Sequence, residues 1–360
     1  DTENERIVVL NQDGSLADIF GKPESNLIDE LNFSYRPVKL AVDFAERIFV
    51  ISQNENKGII ELGKDGEFWG YFGAVRTTKS IFDLFSLAFT KEQKERKQKN
   101  VPVEYNNVNV DDAGFVYGTV ASFNVNGTLD KDIFLRKMNP LGTDVLKRNG
   151  FFPIMGDINY EYENDTPALA QICDVALREG GMYSILGRNS GRVYTYDNNG
   201  NLLYIFGGMG NSFGQFLLPV AFDCMGDQYL VLDSNLGQIV TFAPTRYGSL
   251  LSAAALDYYN MDYTAAEGKY EEILRYTVKS DIAYDGMANA LLKKGDIDGA
   301  MRYFKLSGNR DGYSEAYQIK RSEFLDRHFF TIIVMLFVLI VAMSIAVHIW
   351  RKRKEKKNEG

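Results

Sequence analysis

The sequence predicts a mainly β chain, a β-propeller, followed by an α-helical region and one transmembrane helix. Two patterns of strand pairs recur along the first 247 residues, and after Pro244 the apolar period changes from two to that of a helix. A third observation is an apolar segment near the C-terminus that contains no Asp, Glu, Lys or Arg. We therefore predict a propeller at 1–247, a helical region at 248–327, a transmembrane helix at 328–350 and a basic tail at 351–360.

The strand pairs alternate between two kinds. One kind turns at Asp-Gly or Asn-Gly and closes on Phe-Gly, and it occurs at residues 7–21, 58–73 and 191–207. Such dipeptides between alternating strands are typical of β-hairpins, because both central residues of the turn need positive φ. The other kind is a strand, a polar turn and a second strand, found at residues 38–52, 108–120, 175–186 and 220–233.

Together the two kinds form four-stranded units, which are the blades of a propeller. The interval from Arg178 to Asp223 is 45 residues, the usual length of one blade. The intervals from Asp43 to Asp111 and from Asp111 to Arg178 are longer because segments are inserted. We predict four blades and half of another at the N-terminus.

The first insert, at 76–103, carries two capping-box patterns and is predicted to form two short helices. One apolar face of these helices supplies the partner-binding candidates Ile81, Leu84, Phe85 and Phe89. Docking on a partner or on the membrane surface is one interpretation of this face. Packing against the propeller of the same chain is the interpretation that we favour.

A second insert, near residues 150–170, contains four carboxylates on a turn-rich stretch: Asp157, Glu161, Glu163 and Asp165. Carboxylates are calcium ligands, so these residues are the metal candidates of the sequence. The spacing and the glycine position of an EF-hand loop are absent. A solvated acidic loop without a cofactor is therefore favoured over a calcium site.

Residues 283–306 predict a pair of antiparallel helices and resemble a tetratricopeptide repeat. Gly295 supplies the turn between the two helices. Small and apolar residues occupy the positions that such a repeat requires: Ala288, Leu291, Ile297, Ala300 and Phe304. A poorer copy precedes it, with one helix predicted at 250–267 and a break at Gly268. A packed spacer between propeller and membrane is favoured over a peptide-binding array.

The apolar segment runs from Phe329 to Trp350 and has 22 residues. At about 1.5 Å per residue it spans roughly 33 Å, enough to cross a hydrocarbon layer of about 30 Å. Arg351 and Lys352 begin a basic cluster directly after it, and such clusters stay on the cytoplasmic side. We predict a single-pass protein of the cell membrane with an extracellular N-terminal region and a cytoplasmic C-terminus.

Charge and histidine content exclude several classes of function. The net charge is −8, and the last ten residues hold six Lys or Arg against two Glu, so the preceding residues carry about −12. An acidic extracellular region argues against nucleic acid as a partner. His328 and His348, the chain's two histidines, flank or lie within the membrane segment. This excludes Ser-His-Asp and Cys-His nucleophile systems and histidine-bound zinc from the extracellular region.

The two cysteines, Cys173 and Cys224, lie in predicted strands of different repeats. They form a disulfide only if those strands are neighbours. Two buried free thiols are favoured over a disulfide.

Two of the blades resemble NHL-type repeats, whose order is Pro, apolar residue, Asp, aromatic-Val-Asp and a closing Phe-Gly. The residues that fit are Pro37, Val42, Asp43, Phe49 and Val50 in one blade, and Pro219, Phe222, Asp223, Tyr229, Val231 and Asp233 in the other. The other two blades depart from this order. The resemblance implies a propeller with six blades when complete, so further strands are expected upstream of Asp1, or else the ring is open.

The whole order of propeller, helical repeats, membrane helix and basic tail resembles Gram-positive bacterial surface proteins that accompany carbohydrate-type ABC transporters. This resemblance implies an extracellular binding or scaffold protein, an accessory of a transporter, that acts through protein–protein contacts. We expect no enzymatic activity on this basis.

Two alternatives stay open at this point. Related six-bladed propellers of the gluconolactonase type hold a divalent cation, which makes a calcium-dependent hydrolase one alternative. The other is an extracellular carbohydrate-binding sensor, suggested by 21 Tyr and 24 Phe. Fold alone does not decide among these functions.

Overall fold

The structure is a computed structural model. It describes residues 1–25, 28, 34–53, 55, 57–73, 105–120, 134–148, 162–163, 166–167 and 172–358, with the backbone alone at 162–163, 166–167, 348–349 and 351–358. The chain divides into two units, Asp1–Asp262 and Tyr263–Gly360.

The described part of the first unit is built from antiparallel sheets whose strands follow one another in chain order. A hairpin comes first, formed by β1 (Ile7–Leu10) and β2 (Leu16–Phe20). One four-stranded sheet consists of β3 (Pro37–Val42), β4 (Ile48–Ser52), β5 (Ile59–Leu62) and β6 (Phe68–Phe72). A three-stranded sheet follows, made of β7 (Tyr105–Val110), β8 (Val116–Val120) and β9 (Leu135–Met138).

The remaining strands repeat this plan. A short pair, β10 (Tyr162–Glu163) and β11 (Thr166–Pro167), precedes them. The second four-stranded sheet consists of β12 (Ile172–Leu177), β13 (Tyr183–Gly187), β14 (Arg192–Tyr196) and β15 (Leu202–Gly207). The last sheet consists of β16 (Pro219–Met225), β17 (Gln228–Asp233) and β18 (Gln238–Phe242). The strand pairs predicted from the sequence all lie in these sheets, but two of the sheets have three described strands and not four, and β9 and β18 were not predicted.

The first strands of the four larger sheets lie side by side, with β3 beside β7, β7 beside β12, and β12 beside β16. Apolar clusters fill the spaces between neighbouring sheets; for example, Phe49 packs with Val116, and Val193 packs with Phe222. Sheets that face one another around a line of innermost strands form a propeller-like arrangement. A mainly β, propeller-like unit is therefore confirmed, whereas the number of six blades stays a prediction.

The aspartates of the repeats form the turns between strands. Oδ1 of Asp43 accepts hydrogen bonds from the amides of Ala45 and Arg47, both at 2.9 Å. Asp111 and Asp197 accept two amides at the same relative positions. An aspartate that bonds to amides two and four residues later stabilises a tight turn. The recurrence of Asp in the repeats thus has a local structural cause.

The glycine that closes a repeat is required by the close approach of two backbones. Gly207 has a φ of 80°, and a Cβ atom added to it would lie 2.6 Å from the carbonyl oxygen of Gly191. Gly73 closes another repeat and also has a positive φ, of 65°. A side chain at Gly207 would therefore meet both an unfavourable backbone conformation and a backbone atom.

Helix α1 (Arg246–Tyr259) completes the first unit. The side chain of Thr245 caps its N-terminus by accepting the amide of Gly248. The hydroxyl of Ser252 lies 2.8 Å from that of Tyr204, which in turn lies 2.8 Å from that of Tyr229. This chain of hydroxyl groups links α1 to the two sheets that precede it.

The second unit contains four helices: α2 (Tyr263–Tyr276), α3 (Asp281–Lys294), α4 (Ile297–Ser307) and α5 (Arg310–Asn358). Gly295 ends α3 with a φ of 86°, as its predicted role at the turn requires. Ala288, Ala300 and Phe304 are buried between the helices. Helical pairs are thus confirmed, and their assignment as tetratricopeptide repeats stays a prediction.

The predicted helix break at Gly268 is wrong, because Gly268 lies inside α2. The chain breaks earlier instead, where Asn260 caps α1 and Met261 adopts a φ of 66°. A non-glycine residue with positive φ ends a helix as glycine does. A methionine, unlike a glycine, does not predict such a helix end from the sequence.

Helix α5 is one continuous helix of 49 residues, about 73 Å long. It includes the whole apolar segment from Phe329 to Trp350, whose described side chains are almost all exposed. This helix is long and apolar enough to cross a membrane. The predicted C-terminal membrane segment is confirmed to that extent.

We predict that Gly207→Ala destabilises the first unit more than Gly237→Ala does. Gly237 also has a positive φ, of 61°, but an added Cβ would meet no atom within 4 Å. We expect Gly237→Ala to cost about 1–2 kcal/mol from backbone conformation alone. Gly207→Ala should cost about 1–3 kcal/mol more, because the added atom overpacks the site.

Urea unfolding of the full chain in detergent micelles measures this difference through the fluorescence of Trp69 in β6. A Trp350→Phe background removes the second tryptophan. Equal unfolding free energies for the two glycine variants would contradict the proposed backbone contact.

Candidate functional site

The innermost strands β3, β7, β12 and β16 line a cavity of about 510 Å³. This volume lies within the range of pockets that bind small molecules. Polar residues from all four strands line it: Lys39, Asn107, Asn109, Asp174 and Asp223. Aliphatic residues line the rest, among them Leu40, Val42, Leu230, Leu232 and Ile239.

Asp174 on β12 lies at the centre of the polar group and is 6% exposed. Its Oδ1 accepts the amide of Val175 at 2.8 Å and the side-chain amide of Asn107 on β7. Its Oδ2 accepts the amide of Phe222 on β16 at 2.8 Å and lies 3.8 Å from Nζ of Lys39 on β3. One carboxylate therefore contacts the innermost strands of all four sheets.

Burial raises the pKa of Asp174 above its ordinary value, because the charged form is poorly solvated there. Lys39 and the three hydrogen-bond donors lower the pKa but do not offset burial. The carboxyl of Asp174 thus takes up a proton at a higher pH in the folded chain than in the unfolded chain. Folding is favoured by this group below its unfolded pKa, and the contribution is lost as the pH rises through the folded value.

Asparagines on β7 join it to β12, which belongs to a different sheet. The side-chain amide of Asn106 donates to the carbonyl of Ile172 at 2.6 Å, and that of Asn109 donates to the carbonyl of Val175 at 3.1 Å. Side-chain bonds replace the main-chain ladder that β7 and β12 do not share. These asparagines are therefore engaged in holding the sheets together.

Lys39 and Asp223 remain accessible to a ligand on opposite strands of the cavity. The Lys39 side chain is about one-third exposed, and Asp223 on β16 is exposed. Beside them, Leu40 is 50% exposed and Ile239 is 64% exposed. The cavity therefore combines two charged groups with aliphatic walls, which suits a partner that has polar groups next to an apolar surface.

The cysteines beside this cavity are unpaired, as predicted, but both side chains are partly exposed and not fully buried. Burial raises the pKa of the Cys173 thiol and of the Cys224 thiol to about 12. Both groups therefore stay protonated near neutral pH and are weak nucleophiles.

Most of the site residues predicted from the sequence lie outside the described residues. This holds for the partner-binding candidates Ile81, Leu84, Phe85 and Phe89 and for the metal candidates Asp157, Glu161 and Asp165. Glu163 lies in β10, where the backbone alone is described. In the described ranges, no group of three or more His, Cys, Asp or Glu is placed to hold a metal ion.

The predicted anchor residues all lie on α5. Phe329 and Trp350, at the two ends of the apolar segment, are both exposed. Arg351 and Lys352 continue the helix beyond it. The four residues therefore lie along one uninterrupted helix.

None of Lys39, Asn107 and Asp174 was predicted from the sequence to be a site residue. A signal was present at Asp174, because it is the one charged residue in the strand ICDVAL, and a buried charge needs partners. The partners themselves come from β3, β7 and β16, so sequence distance concealed the cluster.

Comparison with known proteins gives similarity to solved structures only: no protein-family model and no curated protein matches the chain. A protein of unknown function from Bacteroides caccae has 12% identity and a TM-score of 0.35, with 66% of this chain and 69% of that chain covered. A streptogramin B lyase has 14% identity and a TM-score of 0.35, with coverage of 68% and 64%. The virginiamycin B lyase of Staphylococcus aureus has 11% identity and a TM-score of 0.36, with coverage of 68% and 66%.

The chain thus spans just under two thirds of the length of the two lyases. Their presence among the similar structures corrects our prediction that the chain is not an enzyme. A scarcity of histidine excludes particular nucleophile systems, and it does not exclude catalysis in general. Similarity at this level assigns no activity to the chain.

We predict that the stability difference between the wild type and Asp174→Asn depends on pH. The wild type should gain stability relative to the variant as the pH falls from about 7 to about 4, because the buried carboxyl becomes protonated while the asparagine does not titrate. Urea unfolding at several pH values, followed by Trp69 fluorescence, measures the difference.

Lys39→Met provides a second, directional variant. It removes the cation that lowers the pKa of Asp174. The increase in stability as the pH falls should therefore begin at a higher pH than in the wild type. A stability difference that is constant with pH, or that shrinks as the pH falls, would show that burial does not control this carboxyl.

Proposed function

We propose that this chain is a single-pass, membrane-anchored binding and scaffold protein that serves as an accessory of a carbohydrate-type ABC transporter. The observation that carries the proposal is helix α5, which is both the last helix of the second unit and the apolar segment. Because α5 belongs to both parts, it holds the helical unit beside the membrane, where a membrane protein can contact the unit.

The proposed orientation has the first unit outside the cell and the C-terminus in the cytoplasm. The basic cluster that begins at Arg351 follows the apolar segment directly. Positive charge beside a membrane span stays on the cytoplasmic side.

The start of α5 is firmly joined to the other helices of its unit. Asn309 caps α5 by accepting the amide of Gly312 at 2.8 Å, and it donates to the Asp285 carboxylate on α3 at 2.6 Å. Ala316 is fully buried, and Gly312 leaves room for the ring of Phe304 on α4. These contacts support a rigid connection between the helical unit and the membrane segment, rather than a flexible tether.

The cavity of the first unit is the proposed place of ligand or partner contact. Its exposed aliphatic residues, such as Leu232 and Ile239, favour a protein partner. Among the described residues that line it, the one aromatic residue is Phe222, which is buried. Because sugar rings stack on exposed aromatic faces, the cavity favours protein contact over carbohydrate binding.

We predict that transporter permease subunits co-purify with the intact protein from native membranes after mild crosslinking. A flexible Gly-Ser linker inserted between Asp326 and Phe329 should lower their recovery, because it uncouples the helical unit from the membrane segment. Mass spectrometry of the purified material, normalised to the bait, measures recovery.

The matched control carries the same linker after Gly360, where it leaves α5 intact, and should recover permeases as the wild type does. Unchanged recovery with the linker between Asp326 and Phe329 would show that α5 serves only as a flexible tether. Failure to recover permeases with any variant would remove the transporter from the proposal.

A further inference from the structure

We infer that the turn between α3 and α4 lies against the lipid headgroups of the membrane that α5 crosses. The turn consists of Gly295 and Asp296, and Lys293 and Lys294 precede it in the last turn of α3. The inference rests on the proposed membrane anchoring and adds a second, lateral contact with the bilayer.

Neighbouring helices of the second unit run antiparallel, so the C-terminus of one helix and the N-terminus of the next lie at the same end of the unit. Lys294 at the end of α3 pairs with Glu267 near the start of α2. Asp298 at the start of α4 pairs with Lys320 on α5, whereas Phe304 later in α4 meets Gly312 earlier in α5. The α3–α4 turn and Lys320 are therefore at the same end, which is the end from which α5 continues.

Little free helix separates this end from the apolar segment. Lys320 precedes Phe329 by nine residues of continuous helix, or about 14 Å. Headgroups add about 5–8 Å to each side of the hydrocarbon layer. Lys320 thus lies only about 6–9 Å beyond the headgroups, and the turn, which precedes Asp298 in α4, lies nearer still.

Phe324 supports this height. Its side chain is 57% exposed, and the one described ring beside it is that of His328, 4.6 Å away. Phe324 precedes Phe329 by five residues of the same helix, or about 8 Å, which places its ring at the outer edge of the headgroup layer. With Phe324 in the headgroup layer, Lys320 stands one helical turn above it.

Charges of both signs lie at this end of the unit, because Asp296 and Asp298 follow directly after Lys293 and Lys294. Lys294 and Lys320 are each paired with a carboxylate of the unit. Lys293 is exposed in the last turn of α3, and Arg321 and Arg327 add cations along α5. Exposed cations also lie at the opposite end of the unit, together with Val278, which is 77% exposed: Arg275, Lys279, Lys305 and Arg310. Charge therefore does not distinguish the two ends, and it is the height of Lys293 above the apolar segment that places its side chain within reach of a lipid phosphate.

Fluorescence quenching in nanodiscs tests the inference on the full chain. Single cysteines are introduced as Lys293→Cys or Val278→Cys in a background in which Cys173 and Cys224 are replaced by serine, and each is labelled with a maleimide fluorophore. The nanodiscs contain phosphatidylcholine and phosphatidylglycerol, with a spin label on part of the phosphatidylcholine headgroups. Val278 is the matched control, because α3 places it about 20 Å further along the unit.

We expect quenching of the label at Lys293 to be several times stronger than quenching of the label at Val278. The Gly-Ser linker between Asp326 and Phe329 should reduce this ratio. Equal quenching at the two positions, or stronger quenching at Val278, would overturn the inference.

A third label, at Val338→Cys within the apolar segment, separates this outcome from a failure of the anchor. Spin labels on the acyl chains should quench it whenever α5 spans the bilayer. Quenching at Val338 with no difference between Lys293 and Val278 would reject the headgroup contact alone, whereas no quenching at Val338 would reject the anchor itself.

Discussion

The first unit depends on the buried carboxylate of Asp174. Sheets of a propeller share no main-chain ladder, so their innermost strands are joined through side chains and apolar packing. Asp174 accepts hydrogen bonds from β7 and β16 while Lys39 approaches from β3. The carboxylate is stable in this position only because donors from three sides offset part of its desolvation. The same constraint shapes the cavity, because it orders the strands that line it.

The second unit depends on a different constraint, the continuity of α5. Its first turns are held by Asn309, Gly312 and Ala316 against the neighbouring helices, and its later turns form the apolar segment. Since no loop intervenes, the direction of the membrane segment and the orientation of the helical unit are set together. The last helix of the second unit and the apolar segment are thus one element, and this continuity supports the proposed accessory role.

Several elements could be predicted because their causes are local. Hairpins followed from Asp-Gly and Asn-Gly turns, and the end of α3 followed from Gly295. The break between α1 and α2 could not be predicted, because Met261 has no local preference for the positive φ that it adopts. The candidate site was missed for a related reason. Lys39 and Asp174 are 135 residues apart in the sequence, and no spacing rule connects them.

The sequence by itself determined the repeated strand pairs, the change to helical periodicity and the apolar segment, since each is encoded within a short stretch of chain. Only the tertiary structure decided which polar residues meet. It buried Asp174 among donors from three other strands and left Lys39 and Asp223 accessible at the cavity. It also placed the α3–α4 turn at the end from which α5 continues. The physical reason is that burial and pairing depend on contacts between distant segments, which local periodicity does not encode.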